Sequence, residues 1–397
     1  MRSFTGSGLN DGAVAGVSSG ARYTLDGDAG VEARIASDQA VVAEAVEALL
    51  QPPGFRALVL MGGYGRGEGG YVMREGGPAP YNDYDYFVVV RGLDRGRRRA
   101  LSRELAAAAA RLEQAVGVEV DFALLRDEGL PRAEYSLMNA EMLWGHRVIA
   151  GDARVLEAMP PMPLDGLPAG EFTRLLLNRG ALLLLNQQRL LAPAGAGLDH
   201  EVFFKYLFKA VLACGDAHLA RQGSYDPSYV CKWQRLCAGS SAASGALAEL
   251  YPLAFEHKFH PDYQRFAAED PARWQARVTD LWLDTLAAFE QWRCRRALDD
   301  WQAYCAPGWP KGQGGRSWGG LRNAAVTLRD FGPAELVRRP RWSLRYPRER
   351  LIAVLPVLLA HPGSAPGPAA AAALALPASV PWEPAAAAFL RLWQRFA

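Results

Sequence analysis

Three acids and a run of glycines are the residues of this chain whose types and spacing could do chemistry. In a strand, side chains alternate faces, so in "YNDYDYFVVV" Asp83 and Asp85 point the same way, about 6 to 7 Å apart, and Tyr84 and Tyr86 point the other way. Like charges this close are unfavourable unless something divalent sits between them. Carboxylates with water are the hard oxygen ligands that magnesium (Mg2+) prefers and that also suit manganese (Mn2+). Asp121 lies between Val120 and Phe122 in "VEVDFAL", an acid in an apolar run, which is costly unless it is hydrogen-bonded or ligated. It would complete a three-carboxylate metal site if its strand lies beside that of Asp83 and Asp85. Glu119, two residues earlier on the same face, could substitute for it, and the plainer reading of Asp121 is a strand-edge acid facing water.

The glycines follow an apolar run, "ALVLMGGYGRGE". A turn poor in side chains lets backbone N–H groups approach an anion, and a helix N-terminus behind it adds positive potential. Gly62, Gly63, Gly65 and Gly67 meet the first requirement, Tyr64 belongs to the same nucleotide-binding stretch, and Arg66 can fork onto phosphate oxygens. Glycine loop and metal acids together describe a magnesium-bound nucleoside triphosphate, and the expected reaction is in-line transfer at the α-phosphorus with release of pyrophosphate. Lys205 and Lys209, four apart in "EVFFKYLFKAVLACGDAH", repel by a few tenths of a kcal/mol unless an anion lies over them, and could close on the triphosphate. A solvated helix face is the equal alternative.

These residues also carry a resemblance. "GGYGRGE", then "NDYDYFVVV", then "VEVDFAL" resembles the nucleotidyltransferase superfamily of the DNA polymerase beta type, with a glycine pair, Asp-x-Asp on a strand and a third Asp. The glycine motif is most similar to that of bacterial PII uridylyltransferases. The resemblance implies that Gly62 and Gly63 hold phosphate, that Asp83 and Asp85 bind both metals, and that Asp121 binds the catalytic metal and helps deprotonate the acceptor. It covers roughly residues 55 to 125. Nineteen residues separate Gly63 from Asp83, more than the family usually has, and Asn82 stands where serine is common. The inserted "GGYVMREGGPAP" is expected to loop out over the site as a lid or an acceptor-contacting flap. The His-Asp hydrolase signature and the regulatory domains of the PII enzymes are not found, so only the chemistry carries over. The helical half resembles the arrangement in small-molecule nucleotidyltransferases of the kanamycin type, where a helix lysine often reaches the nucleotide.

The elements that must position these residues follow from periodicity. "SDQAVVAEAVEALLQ" has helical spacing with Ser37 as a candidate N-cap and stops before Pro52 and Pro53. "ALVLMGG", "YDYFVVV" and "VGVEVDFALL" read as strands, the last alternating Val118, Val120 and Phe122 against Glu119, Asp121 and Ala123. Between the second and third, "RGRRRALSRELAAAAARLEQAVG" reads as a helix closed by Gly117. From Pro160 onward long amphipathic patterns predominate. The fold expected is α+β, a small mixed-sheet nucleotidyltransferase domain followed by a mostly helical domain. Its parts are a polar leader over 1–35, the catalytic domain over 36–158, the helical domain over 159–306 and a helical, Pro/Ala-rich region over 307–397. The acceptor is expected to bind between the catalytic and helical domains.

Composition bounds the rest. With 44 basic and 42 acidic residues, a net charge of +2, the chain advertises no basic groove, which argues against nucleic acid as a partner. No apolar run reaches the ~20 residues of a membrane span, and the leader does not read as a signal peptide. The five cysteines form no CxxC pair and fit reduced thiols in the cytoplasm. The function expected is a magnesium-dependent nucleotidyltransferase acting on a small molecule or a protein side chain. The rival is a non-catalytic nucleotide-binding or antitoxin-like interaction module.

Overall fold

The computed structural model of the protein describes residues 22–50, 54–192, 198–237, 243–309, 311 and 319–396. Residues 1–21 of the leader and Pro52 and Pro53 lie outside them. The chain forms two compact units, one of residues 1–163 with 259–261, the other of 164–258 and 262–397.

The first unit is the α+β part. Helix α1 (Ala29–Leu49) starts earlier than its sequence suggests, because Asp28 rather than Ser37 caps it, accepting from Val31 N at 3.0 Å. Its inward stripe of Val31, Ile35, Val42 and Val46 is fully buried, each side chain worth roughly 1.5–3 kcal/mol. Strand β1 (Phe55–Leu60) runs into a single helical turn, α2 (Gly62–Arg66), then a hairpin of β2 (Tyr71–Arg74) and β3 (Gly77–Pro80). Strand β4 (Tyr84–Val90), helix α3 (Arg95–Val116) and strand β5 (Val120–Arg126) follow, then helix α4 (Leu137–Trp144) and strand β6 (Arg147–Gly151). The insertion expected to loop out is thus a two-stranded antiparallel ribbon. Strand β6 carried no sequence signal strong enough to be read.

Among the described residues the main sheet has the order β5-β4-β1-β6, with β4 and β5 parallel and the other pairs antiparallel. A parallel pair needs a crossover, and α3 supplies it. Asp94 caps α3, and Gly117 ends it in the left-handed conformation, the stop that the sequence indicates. Within the arginine-rich start of α3, Arg97 pairs with Glu104 and donates to Leu49 O. Central strand β4 buries nearly every side chain, which is why "YDYFVVV" is apolar almost throughout. On its α1 face, Tyr84 Oη donates to Asp38 Oδ2 at 3.0 Å and Tyr86 Oη donates to Gln39 Oε1 at 2.6 Å.

In the second unit, helices α5 (Ala169–Leu191), α6 (His200–Arg221), α7 (Tyr229–Cys237), α8 (Gly245–Phe259) and α9 (Pro271–Cys294) are followed by the short α10 (Trp301–Cys305). Then come α11 (Gly319–Phe331), α12 (Pro333–Arg338), α13 (Pro340–Ser343), α14 (Pro347–Ala360), α15 (Gly367–Ala373) and α16 (Trp382–Phe396). Helices α5, α6 and α9 pack together, and α14 and α16 pack on α5, so stretches on both sides of residue 306 share one core. Fully buried Glu290 accepts from Thr173 Oγ1 at 2.6 Å, Tyr304 Oη at 2.9 Å and Arg293 Nε at 2.8 Å. On α6, Asp216 is buried, 2.7 Å from Lys232 Nζ. Among the described residues no helix is long and apolar enough to cross a membrane, and no disulfide joins the five cysteines.

Burial pushes the Asp38 carboxyl above the ordinary aspartate range, and the bonds from Tyr84 and Arg34 only partly oppose it. The folded state therefore holds this proton to higher pH than the unfolded chain. The stabilisation is complete below the unfolded value and is lost as pH rises through the folded one. Asp38→Asn, which cannot ionise, should flatten this acid-side fall in unfolding free energy; urea melts of both proteins from pH 3.5 to 7 measure it, and an unchanged slope would contradict the assignment.

Candidate functional site at the acid edge

The end of β1 and the start of β4 meet at one edge of the sheet. Met61 N donates to the Asp85 backbone carbonyl at 2.8 Å, and Tyr84 N donates to the Glu119 carbonyl at 2.9 Å, so the backbone around Asp85 is held from both neighbouring strands. In the parallel ladder Asp85 is the partner of Asp121. Partners in adjacent strands stand side by side on one face, about 4.8 Å apart at the backbone. Asp85 and Asp121 therefore share the face opposite Tyr84 and Tyr86, and both are exposed. Asp83 sits half-buried one residue ahead of β4 rather than inside it.

Asp121 is not an acid trapped in an apolar interior. Strand β5 is at the sheet's edge, and its alternation is resolved as Val118 and Val120 inward with Glu119, Asp121 and Ala123 outward. Exposed to water, Asp121 needs no ligand to satisfy its charge, and register alone links it to Asp85. Among the described residues no group of three or more His, Cys, Asp or Glu side chains is gathered closely enough to hold a metal ion as it stands. The acids share an edge without closing to ligand spacing. Side-by-side carboxylates repel, and a hard cation is what would draw them together.

The glycines divide by role. Gly62 has φ +65°, and a Cβ built there would lie 3.2 Å from Asp85 Oδ2, so this residue leaves room beside the carboxylate. The others serve the protein's own packing. A Cβ on Gly63 would meet the Glu68 carbonyl at 2.8 Å, and one on Gly65 the Leu60 carbonyl at 2.5 Å. Gly67 is the left-handed cap of α2, with φ +79°. Of the glycines expected to approach phosphate, only Gly62 is seen beside an acid.

Two further expectations are corrected. Tyr64 does not line an open loop: it is 1% exposed, and its hydroxyl bonds only within the unit. Arg66 does not present an open fork. Its side chain is 6% exposed, 3.9 Å from Glu68 and 3.7 Å from Glu141, and its methylenes pack against Gly145. Lys205 and Lys209 are half-buried on α6 of the second unit. Both ring nitrogens of His257 lie 2.9 Å from backbone carbonyls, those of Leu253 and Asp262.

Asn82, in sequence only a departure from serine, has in the fold an Oδ1 that accepts from Gly70 N at 2.8 Å, and Tyr64 turns inward. Adjacency of Asn82 to the first acid was the one available signal. Comparison with protein families, with curated proteins and with solved structures returned no match for this chain.

Gly62→Ala must adopt the left-handed region and should lose roughly 1–2 kcal/mol, whereas Gly65→Ala, pressed on a backbone carbonyl, should lose about 3 kcal/mol. Chemical denaturation of the two variants tests this order; equal losses would contradict the division of roles.

Proposed function

We propose that the chain is a nucleotidyltransferase moving a nucleoside monophosphate from an NTP to a hydroxyl or phosphate of a small molecule or protein side chain. The observation that carries the reading is the register of Asp85 with Asp121 beside a glycine that leaves space at Asp85 Oδ2. Asp83, Asp85 and Asp121 would hold magnesium or manganese, hard-oxygen ligands suited to that ion. Such ions, when bound, polarise the triphosphate and neutralise the pyrophosphate that leaves.

The chain's own part is orientation and proton transfer. Asp121, exposed at the strand edge, would take the acceptor's proton as the acceptor oxygen bonds to the α-phosphorus and the bond from that phosphorus to the β-phosphate oxygen breaks. The buried face of β4 keeps Asp85 on a strand that cannot rotate, with Asp83 at the entry to it. A reducing, nucleotide-rich compartment, the cytoplasm, suits five cysteines that form no disulfide.

The inward-turned Arg66 favours a second reading, an interaction module that binds nucleotide without turning it over. One assay separates the two. Pyrophosphate release from each NTP with Mg2+ should fall about a thousandfold in Asp85→Asn and Asp121→Asn, several kcal/mol of transition-state stabilisation. Melting temperatures should stay within a few degrees of the wild type, because both side chains are exposed. Nucleotide binding without release in the wild type would favour the module; release that survives both substitutions would defeat the mechanism.

A further inference from the structure

Tyr64 joins three stretches of the acid edge. Its hydroxyl donates to the Gly70 carbonyl at 2.6 Å and lies 2.9 and 3.1 Å from the Tyr81 and Asn82 amides, which donate to it. Asn82 returns the connection, its Oδ1 accepting from Gly70 N at 2.8 Å, and Tyr81 N also reaches the Gly70 carbonyl at 3.1 Å. The ring stands edge-on to Tyr84, with centroids 5.0 Å apart, and lies so close to Gly69 that no Cβ would fit there. Burial and the nearby Asp83 and Asp38 charges push the phenol's pKa up, so it stays a neutral hydroxyl able to donate and accept at once.

The consequence is geometric. The clamp closes the base of the β2–β3 hairpin, at Gly70 on one side and Tyr81 and Asn82 on the other, and Asp83 is the next residue. Asp83 lies just outside the β4 ladder, between this clamp at Asn82 and the first paired residue, Tyr84, so the clamp fixes the chain that enters it. Tyr64 is also an α2 residue, two positions from Gly62, so the same hydroxyl ties the turn beside Asp85 to the strand entry that carries Asp83.

We infer that Tyr64 and Asn82 are positioning residues for the nucleotidyl-transfer site: their shared clamp at Gly70 sets Asp83 relative to Gly62 and Asp85 and anchors the hairpin beside them. This rests on the proposed transferase reading. A hydroxyl at the centre of a buried network is also worth more than one pairwise bond.

Tyr64→Phe keeps the ring and deletes the hydroxyl; Asn82→Ala opens the same clamp from the half-buried side and serves if the first variant folds poorly. Hydrogen–deuterium exchange of peptides spanning residues 68–84 should speed up about tenfold in either variant. With Mg2+ and the NTP that the wild type uses, kcat should fall about 10- to 100-fold while KM for the NTP stays within about threefold, the pattern of a displaced acid rather than of lost nucleotide binding. Unchanged exchange, or kcat and KM both as in the wild type, would overturn the inference. A wild type that neither binds nor turns over any Mg-NTP would sink the transferase reading by itself, and exchange at 68–84 would then decide alone whether Tyr64 and Asn82 hold the strand entry.

Discussion

The parallel register of β4 and β5 is the constraint on which the rest of the first unit depends. It sets Asp121 beside Asp85 although a whole crossover helix separates them in the chain. A shift of one residue would turn Asp121 to the other face and seat Val120 or Phe122 beside Asp85. Two exposed carboxylates at this separation cost each other on the order of 1 kcal/mol in a water-like surrounding. Each apolar side chain that α1 and α3 bury against the sheet contributes roughly 1.5–3 kcal/mol. Packing therefore decides the register, and the acid pair is carried by it.

The buried face of β4 is polar in a way that reinforces this register. Tyr84 and Tyr86 pass through the core and end on Asp38 and Gln39 of α1. Buried hydroxyls need partners, and these two find them only when strand and helix sit at one setting. The second unit uses the same device, with Glu290 gathering Thr173, Arg293 and Tyr304, and Arg350 bonded to Glu335. Such groups do little for net stability and much to exclude neighbouring arrangements, since any slip leaves a buried polar atom unmet.

Glycine spacing misleads about purpose. Four glycines in six residues invite one explanation, yet Gly63 and Gly65 lack side chains because carbonyl oxygens of Glu68 and Leu60 press on them, and Gly67 because a helical turn ends there. Gly62 alone is bare on the side of an acid. Arg66, similarly, is held between Glu68 and Glu141, so the positive charge expected at the turn is already matched within the unit.

By itself the sequence determined the α+β class, the helical second half, the apolar β1 and β4, the alternation of Val118 and Val120 against Glu119 and Asp121, and the α3 helix with its Gly117 stop. All of these are local: period, capping chemistry and apolar content act within a few residues. Only the tertiary structure decided that β5 lies beside β4 in register, that β6 joins the sheet, that the insertion is a hairpin, and that Tyr64, Arg66 and Asp216 turn inward. Side-chain direction at those positions depends on contacts with residues distant in the chain: Tyr64 on Tyr81 and Asn82, Arg66 on Glu141, Asp216 on Lys232. A polar side chain is buried when a distant partner meets its hydrogen bonds, and no window of neighbouring residues contains that partner.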